Sequence, residues 1–320
     1  MTSLPEVLCA GIVVADHLCA PISHLPKAGE LVTTEKMILT IGGCAANAAV
    51  DLVKMGVSAA VVGRVGDDVF GRVVADMLRS SGVDVSALRV SPDADTSQTL
   101  VVNVQNEDRR FIHNFGTNND FRGGDMPVPL PAGCRVLYLG GYQLMPSLTQ
   151  DEVVPVFRAA RAQGITTVLD VVIPRPLPNY LERFDKLLPF VDVFLPNDHE
   201  AELICGEKDP FRQAELFHML GAGTVVITRG GEGAVLLSKD CRLKAGVYPM
   251  PFVDGSGGGD AFDAGFIYGL LHNLGPEDCL RVASALGASC VRAVGTTLGV
   301  FTQHECADFL ARHRLAVERW

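Results

Sequence analysis

The sequence has little that would direct it to nucleic acid, to a membrane or to secretion. Its 320 residues include 27 Lys or Arg against 37 Asp or Glu, a formal net charge of −10. This balance, with no run of basic residues, opposes binding to nucleic acid or anionic lipid. The N-terminal region lacks a basic segment, and no stretch reaches the roughly 18 uncharged residues of a membrane helix. We therefore expect a cytoplasmic protein whose partners are small molecules.

Common metal and nucleotide motifs are also missing. The nine cysteines include no CxxC pair, and the eight histidines include no HExxH. Without a signal peptide, this pattern favours reduced, mostly buried thiols over disulfides or a zinc site. Neither GxxxxGK[ST] nor GxGxxG is present, so a nucleotide site must be built in another way.

Short apolar, β-branched runs alternate with segments of helical periodicity. The runs cover residues 7–16, 59–66, 135–141, 165–172, 191–197 and 224–230. Continuous apolar runs are typical of parallel strands that are buried on both faces. The segments between them place apolar residues at three- and four-residue intervals and end at glycine, which predicts helices. The alternation predicts an α/β sandwich.

Two stretches depart from this alternation. Residues 30–43 and 96–116 contain threonine-rich, strand-like runs with no helix to cover them, and the second is predicted to fold as a hairpin. A small sheet outside the main one would explain both and could cover a cleft as a lid. The alternative is that they form edge strands of the main sheet. With no repeat or long linker, residues 1–320 are predicted to form one domain.

The most unusual segment is "DGSGGGDAFDAGF" at residues 254–266. Gly257, Gly258 and Gly259 let the backbone approach a ligand closely, and the first N–H groups of the following helix stay unpaired. A helix N-terminus of this kind attracts anions, phosphate above all. Asp260 is then either the helix N-cap or a general base beside a phosphoryl group.

A second segment, "IGGCAANAAVDLVKMG" at residues 41–56, joins a strand-like run to a helix through two glycines. Gly42 and Gly43 leave room for a ligand at the start of the helix. Asn47 offers both donor and acceptor atoms, as recognition of a hydroxylated ligand requires. The alternative is a tight strand-to-helix turn with an incidental asparagine.

Two further segments lie near predicted strand ends. In "LPNDHEAEL" (195–203), Asn197 follows a strand and Glu200 lies one helical turn later. Both can reach the carboxyl edge of the sheet, where doubly wound folds bind ligands. The segment "TRGGEGAV" (228–235) predicts a glycine-rich hairpin between two strands.

Taken in order, "GIVVAD", "GGCAAN", "GRVGDDVFG", "NDHE", "TRGGEG" and "DGSGGGD" resemble the ribokinase-like, or PfkB, family of carbohydrate kinases. The resemblance extends from about residue 7 to residue 300. The family's signature has the form DTTGAGD, and this chain carries Gly255 and Gly258 in place of a threonine and an alanine. The resemblance implies a three-layer α/β sandwich with a mostly parallel central sheet and a small β-sheet lid, whose strands are inserted at about 12–40 and 95–116.

The resemblance also implies a mechanism. Asp260 would take the proton of a substrate hydroxyl, and the N–H groups of Gly257, Gly258 and Gly259 would stabilise charge on the γ-phosphate of ATP. It implies substrate contacts by Asp16, Gly42, Gly43 and Asn47, contacts to ATP and Mg²⁺ by Asn197, Glu200, Thr228, Gly230 and Gly233, and a monovalent cation site, for K⁺, at Asp254, Ser256, Gly295 and Gly299. In several members the lid is also the contact of a homodimer.

The function expected from these residues is an ATP-dependent kinase for a primary hydroxyl of a small carbohydrate. The alternatives are a nucleoside kinase of the same family and a non-catalytic ligand-binding protein on this scaffold. Ribokinases carry a ribose-contacting glutamate where this chain has Gly140, Gly141 and Tyr142, which disfavours ribose. Candidates for recognising another ligand are Tyr142 and the lid residues Asn103, Arg110 and Asn114. Candidates for a slot that would take the base of a nucleoside are Phe111, Phe115 and Tyr142.

Overall fold

The structure is a computed structural model that describes residues 4–105, 107, 109–174 and 179–320. Its strands are β1 (Val7–Gly11), β2 (Val14–Cys19), β3 (Met37–Gly42), β4 (Ala59–Gly66), β5 (Leu88–Ser91), β6 (Gln98–Val102), β7 (Arg110–Asn114), β8 (Val136–Tyr142), β9 (Thr166–Val171), β10 (Val193–Phe194), β11 (Thr224–Thr228), β12 (Ala234–Ser238), β13 (Arg242–Ala245) and β14 (Val317–Arg319). Its helices are α1 (Cys44–Lys54), α2 (Val69–Ser80), α3 (Gln150–Ala162), α4 (Asp198–Cys205), α5 (Pro210–Met219), α6 (Gly258–Leu271), α7 (Pro276–Cys290) and α8 (Gln303–Arg312).

Ten strands form the central sheet in the order β14-β13-β12-β11-β10-β9-β8-β1-β4-β5. Every pairing from β5 to β11 is parallel, whereas β11 to β14 pair antiparallel. The change occurs where residues 229–233 join β11 to β12, because so short a connection can only make a hairpin. The mostly parallel central sheet is confirmed, and so is the hairpin predicted at residues 228–235.

Helices cover both faces of this sheet. Along β1, Val7 and Cys9 belong to one apolar core, and Leu8 and Ala10 belong to the other. Buried residues of α1, α2, α6 and α7 fill the first core, and those of α3, α4 and α5 fill the second. This alternation explains why the strand sequences are apolar at successive positions. The fold is the predicted three-layer α/β sandwich.

Two predicted strands have different bounds in the structure. The apolar run at 7–16 is divided, because β1 ends at Gly11 and β2 then enters another sheet. Gly11 has a φ of 134°, and a Cβ on it would lie 2.1 Å from the Gly140 carbonyl oxygen, so a side chain cannot fit there. The run at 191–197 forms only the two-residue strand β10.

The second sheet has four strands in the order β3-β2-β6-β7. It contains β3 from the stretch at residues 30–43, and β6 and β7 from the stretch at residues 96–116. The predicted small separate sheet is therefore confirmed, and the alternative that these stretches form edge strands of the main sheet is wrong. Residues opposite one another share a face. The register places Thr40, Asp16, Thr99 and His113 in one row, and Leu39, His17, Leu100 and Ile112 in a row on the opposite face.

The described residues contain no helix that is long and apolar enough to cross a membrane. All nine cysteines are free thiols, and all except Cys205 and Cys241 are buried. The prediction of reduced, mostly buried thiols is therefore confirmed.

Candidate active site

The glycine turn at 257–259 leads directly into α6. Gly257 is the residue before the helix and has a φ of 76°. A Cβ on it would lie 2.1 Å from the carbonyl oxygen of Thr296, so only glycine fits. Asp260 is the third residue of α6 rather than its N-cap, and the capping alternative is therefore wrong. The Gly258 N–H donates a long hydrogen bond, 3.4 Å, to the Gly255 carbonyl oxygen, and the N–H groups of Gly259 and Asp260 remain available to an anion.

The Asp260 carboxylate lies beside α1. Asn47 Nδ2 donates a hydrogen bond of 2.7 Å to Asp260 Oδ2, and Cys44 Sγ lies within 4.8 Å of an oxygen of this carboxylate. Burial raises the pKa of Asp260, while Asn47 and Cys44 oppose the rise. Asn47 is 2% exposed, and its Oδ1 accepts no hydrogen bond from any described residue. An unsatisfied acceptor beside a candidate base is suited to a substrate hydroxyl.

Asp170 and Asp263 also lie near Asp260, and neither was predicted from the sequence as a site residue. Asp170 is the second-last residue of β9, and its Oδ2 accepts a 2.8 Å hydrogen bond from the Gly141 N–H. Burial, followed by the charge of Asp260, raises the pKa of Asp170 to about 7. Asp263 on α6 and Glu200 line the same pocket, and burial raises the pKa of both. The signal for Asp170 was an aspartate at the carboxyl end of a buried strand.

The carboxylates of this group fit a hard divalent cation, whereas the Cys44 thiol is too soft to be its ligand. Cys44 Sγ and carboxylate oxygens of Asp170 and Asp260 all lie within 4.8 Å of one another. Carboxylate oxygens are the ligands that Mg²⁺ prefers, and clustered buried acids favour a compensating positive charge.

Asn197 and Glu200 form a reciprocal cap at the start of α4. Asn197 Oδ1 accepts from the Glu200 N–H at 2.8 Å, and Glu200 Oε2 accepts from the Asn197 N–H at 3.0 Å. Both residues and Thr228 line the pocket. Gly230 and Gly233 lie instead in the turn between β11 and β12, outside the set of described lining residues.

The second sheet supplies the opposite wall of the pocket, where Asp16, Thr99 and His113 project. Burial raises the pKa of Asp16 to about 7; the Thr99 hydroxyl opposes the rise, and the charge of Asp260 adds to it. A Cβ on Gly42 would lie 2.1 Å from the Asp16 carboxyl group, so this glycine makes room for the side chain. Gly43, with a φ of 91°, lies close against the neighbouring backbone.

Gly255, which departs from the family signature, lies close to Arg109, the residue just before β7. A Cβ on Gly255 would lie 3.0 Å from Arg109 Nη1. The same nitrogen is 3.3 Å from Ser256 Oγ and 3.8 Å from Asp254 Oδ1. A threonine at position 255 would crowd the guanidinium group, so the smaller residue accommodates Arg109. The sequence analysis named Arg110 instead, but Arg109 is the arginine that lines the pocket.

The pocket has a volume of about 400 Å³ and combines a helix N-terminus, a candidate base and a polar wall. The profile of the family described as "pfkB family carbohydrate kinase" matches residues 4–303. The chain belongs to this family. It is therefore a kinase, a phosphotransferase that acts on an alcohol group.

The kinase is 24% identical over 310 residues to a ribokinase of Haemophilus influenzae, a match that covers 94% of this chain and 96% of the relative. It is 24% identical over 296 residues to a nucleoside kinase of Methanothermobacter thermautotrophicus, covering 92% of each. Among solved structures, it is similar to an Arabidopsis thaliana ribokinase complexed with ribose and ATP, with a TM-score of 0.79 and 23% identity over 96% of this chain and 98% of the other. The structural likeness shows the ribokinase fold.

The residues predicted to hold a monovalent cation lie in two segments that contact each other. Asp254 and Ser256 precede the glycine turn, and Gly295 and Gly299 follow α7. Asp254 Oδ1 accepts from the Ser256 N–H and hydroxyl at 3.0 and 2.8 Å, and Asp254 Oδ2 accepts from the Gly295 N–H at 3.0 Å. Gly299 lies close to the Cys290 carbonyl oxygen, which a Cβ would approach to 2.5 Å. Backbone carbonyl groups in this region are suitable ligands for a monovalent cation.

The kinase places most of the other predicted ligand-recognition residues away from the pocket. Phe111 lines it, whereas the described lining residues do not include Asn103, Arg110, Asn114, Phe115 and Tyr142. Tyr142 is buried in the core, and its hydroxyl donates to a backbone carbonyl at 3.3 Å. Strand alternation explains Arg110 and Asn114, because both are on the face of β7 opposite His113.

Proposed function

We propose that this kinase transfers the γ-phosphate of ATP to a hydroxyl, a primary one, of a small carbohydrate. The observation that supports this most strongly is the position of Asp260, beside the glycine turn and within 2.7 Å of Asn47 Nδ2. A phosphoryl group at the helix N-terminus and a sugar held by Asn47 and Asp16 would meet at Asp260. The position of Gly42, which makes room for Asp16, supports the same arrangement.

In the proposed reaction, Asp260 accepts the proton of the attacking hydroxyl as that oxygen bonds to the γ-phosphorus of ATP, and the bond from this phosphorus to the oxygen of the leaving ADP breaks. The N–H groups of residues 257–259 and of the first turn of α6 stabilise negative charge on the transferring group. Arg109, just before β7, adds a positive charge close to Gly255, and the second sheet acts as a lid. We treat residues 1–320 as one kinase unit that includes this lid.

The nucleotide and its metal would lie toward the ends of β10 and β11. Asn197, Glu200 and Thr228 would contact the phosphates and Mg²⁺ from the pocket wall, and Gly230 and Gly233 would shape the adjoining nucleotide wall. Asp170 extends the acidic group. When bound, Mg²⁺ would neutralise charge on the phosphate oxygens during transfer. A monovalent cation, K⁺, would lie among Asp254, Ser256, Gly295 and Gly299 and stabilise the glycine turn.

The choice of acceptor follows from the polar wall. Asp16, Thr99 and His113 offer several hydrogen-bonding groups to the hydroxyls of a sugar. Phe111 is the single aromatic residue among the three predicted base-slot candidates that lines the pocket, which favours a sugar over a nucleoside. Gly140 has no side chain to contact ribose where ribokinases carry a glutamate, so we propose a sugar other than ribose.

A ligand panel tests this proposal. Sugars and nucleosides are screened for an increase in the thermal unfolding midpoint, and each hit is then assayed for phosphorylation with ATP, Mg²⁺, and either K⁺ or tetramethylammonium. We expect sugar hits that are phosphorylated, with faster turnover in K⁺. Turnover of nucleosides alone would favour the nucleoside kinase. Stabilisation by ligands without any turnover would favour the non-catalytic alternative.

The outer face of the lid supports a homodimer. Leu100 and Ile112 lie opposite each other on the face that points away from the pocket, and they are 37% and 65% exposed. Adjacent exposed aliphatic residues on a sheet are typical of interaction surfaces. A second copy of the chain could cover this face with its own lid.

Sedimentation velocity measures this association. The wild-type protein is expected to sediment as a dimer, and Ile112→Asp is expected to shift it to a monomer because a charge would be buried at the interface. Val90→Asp is the matched control, since Val90 is 59% exposed on β5 of the central sheet. A wild-type monomer, or a dimer unaffected by Ile112→Asp, would refute association through the lid.

The cytoplasmic location stays a prediction from the sequence.

A further inference from the structure

A second cavity, of about 480 Å³, lies at the C-terminal end of α6. Helix α6 has 14 residues, so this end is about 20 Å from the glycine turn. The loop after α6, helix α7 and the segment at the end of α8 form the walls. Leu274, Val282, Leu310 and Leu315 make much of the surface apolar. The cavity is therefore separate from the active site and suited to an apolar group.

Tyr248 lines this cavity, and its buried hydroxyl has no hydrogen-bond partner among the described residues. Tyr248 is 4% exposed, and its ring packs edge-on against Phe309 at 5.0 Å. Its hydroxyl oxygen is buried and makes no hydrogen bond to any described residue. Burial raises the pKa of this phenol, so the group is a neutral donor. Buried polar atoms are nearly always hydrogen-bonded, and the unsatisfied hydroxyl therefore indicates a binding partner in the cavity.

The charged residues at the cavity favour an anion. Arg281 is neutralised by Asp278 and Glu277, at 2.6 and 3.3 Å. Arg314 is exposed, and within the described part of the chain no acidic group pairs with it. His313 donates Nδ1–H to the Phe309 carbonyl at 2.9 Å, so Nε2 is the ring nitrogen left for a ligand. The paired groups cancel, so among the described lining residues Arg314 is the cation that remains to pair with an anionic ligand.

We propose that this cavity binds a small molecule with an apolar or aromatic body and one anionic group, a phosphate or a carboxylate. The apolar walls take the body of the ligand, the Tyr248 hydroxyl donates to one of its oxygens, and Arg314 pairs with the anionic group. The site is distinct from the proposed kinase site, and its occupancy does not depend on which acceptor the kinase phosphorylates.

Binding of phenyl phosphate tests the proposal, because this probe joins an aromatic ring to a dianion. Isothermal titration calorimetry with millimolar phenyl phosphate should detect binding to the wild-type protein. Phenol, which lacks the anionic group, and inorganic phosphate, which lacks the ring, should each bind at least tenfold more weakly. Tyr248→Phe and Arg314→Ala should each weaken the binding about tenfold, since each removes one hydrogen-bonding or ionic contact.

Arg312→Ala is the matched control, because Arg312 is exposed on the same helix end, pairs with Asp308 and does not line the cavity. It should leave the affinity unchanged. Tyr248→Phe keeps the ring, so its thermal unfolding midpoint should not fall. Absence of wild-type binding overturns the proposal. Equal affinity in all four proteins also overturns it, since the probe then binds elsewhere, such as at the glycine turn. Neither result affects the proposed kinase activity.

Discussion

Asp260→Asn is expected to lower kcat by roughly 10²-fold or more while leaving the affinity for ATP nearly unchanged. Asparagine has the same shape but cannot accept the proton of the attacking hydroxyl. The helix N-terminus and the glycine turn stay in place, so the phosphate site should persist. Steady-state kinetics with the sugar identified by the ligand panel measures kcat, and nucleotide titration measures ATP affinity.

The pH dependence gives a second test of Asp260. Burial raises its pKa, and a general base works only when ionised, so wild-type kcat should fall as the pH decreases through this raised pKa. The residual activity of Asp260→Asn should lack that acidic limb. Asp51→Asn is the control, since Asp51 is a fully buried carboxyl group on α1 that does not line the pocket. A near-normal kcat in Asp260→Asn would exclude Asp260 as the base.

Asp16→Ala is expected to raise the KM for the sugar by about 10- to 100-fold, the usual effect of losing a hydrogen bond to a charged group. The KM for ATP should change by less than about twofold, because Asp16 is on a strand of the lid sheet, whereas Asn197 and Thr228 pair with each other at the edge of the central sheet. Initial rates over a grid of sugar and ATP concentrations separate the two constants.

The neighbouring residue is the matched control for Asp16. His17 is on the same strand, but its side chain is on the opposite face of the lid sheet, where it packs edge-on against Phe70. His17→Ala should therefore leave the sugar KM close to the wild-type value. Equal increases of both KM values in Asp16→Ala would place Asp16 outside the sugar site.

Local sequence patterns predicted most of the helices and strands. The helices after residues 43, 68, 149 and 209 and the parallel strands follow from apolar periodicity and from glycine at helix ends, which are local properties. The pattern did not show that residues 7–16 divide between two sheets. That division depends on the contact of Gly11 with Gly140, which is more than a hundred positions away in the chain.

The sequence by itself determined the order of the elements, the glycine turn before α6 and Asp260 as a candidate base, because each depends on residues close together in the chain. Tertiary structure alone decided which side chains meet. Asn47 and Asp260 are separated by 213 positions and come together because α1 packs against α6. Arg109 lies over Gly255 because the lid faces the glycine turn. Such contacts depend on how the layers pack, which periodicity and spacing do not specify.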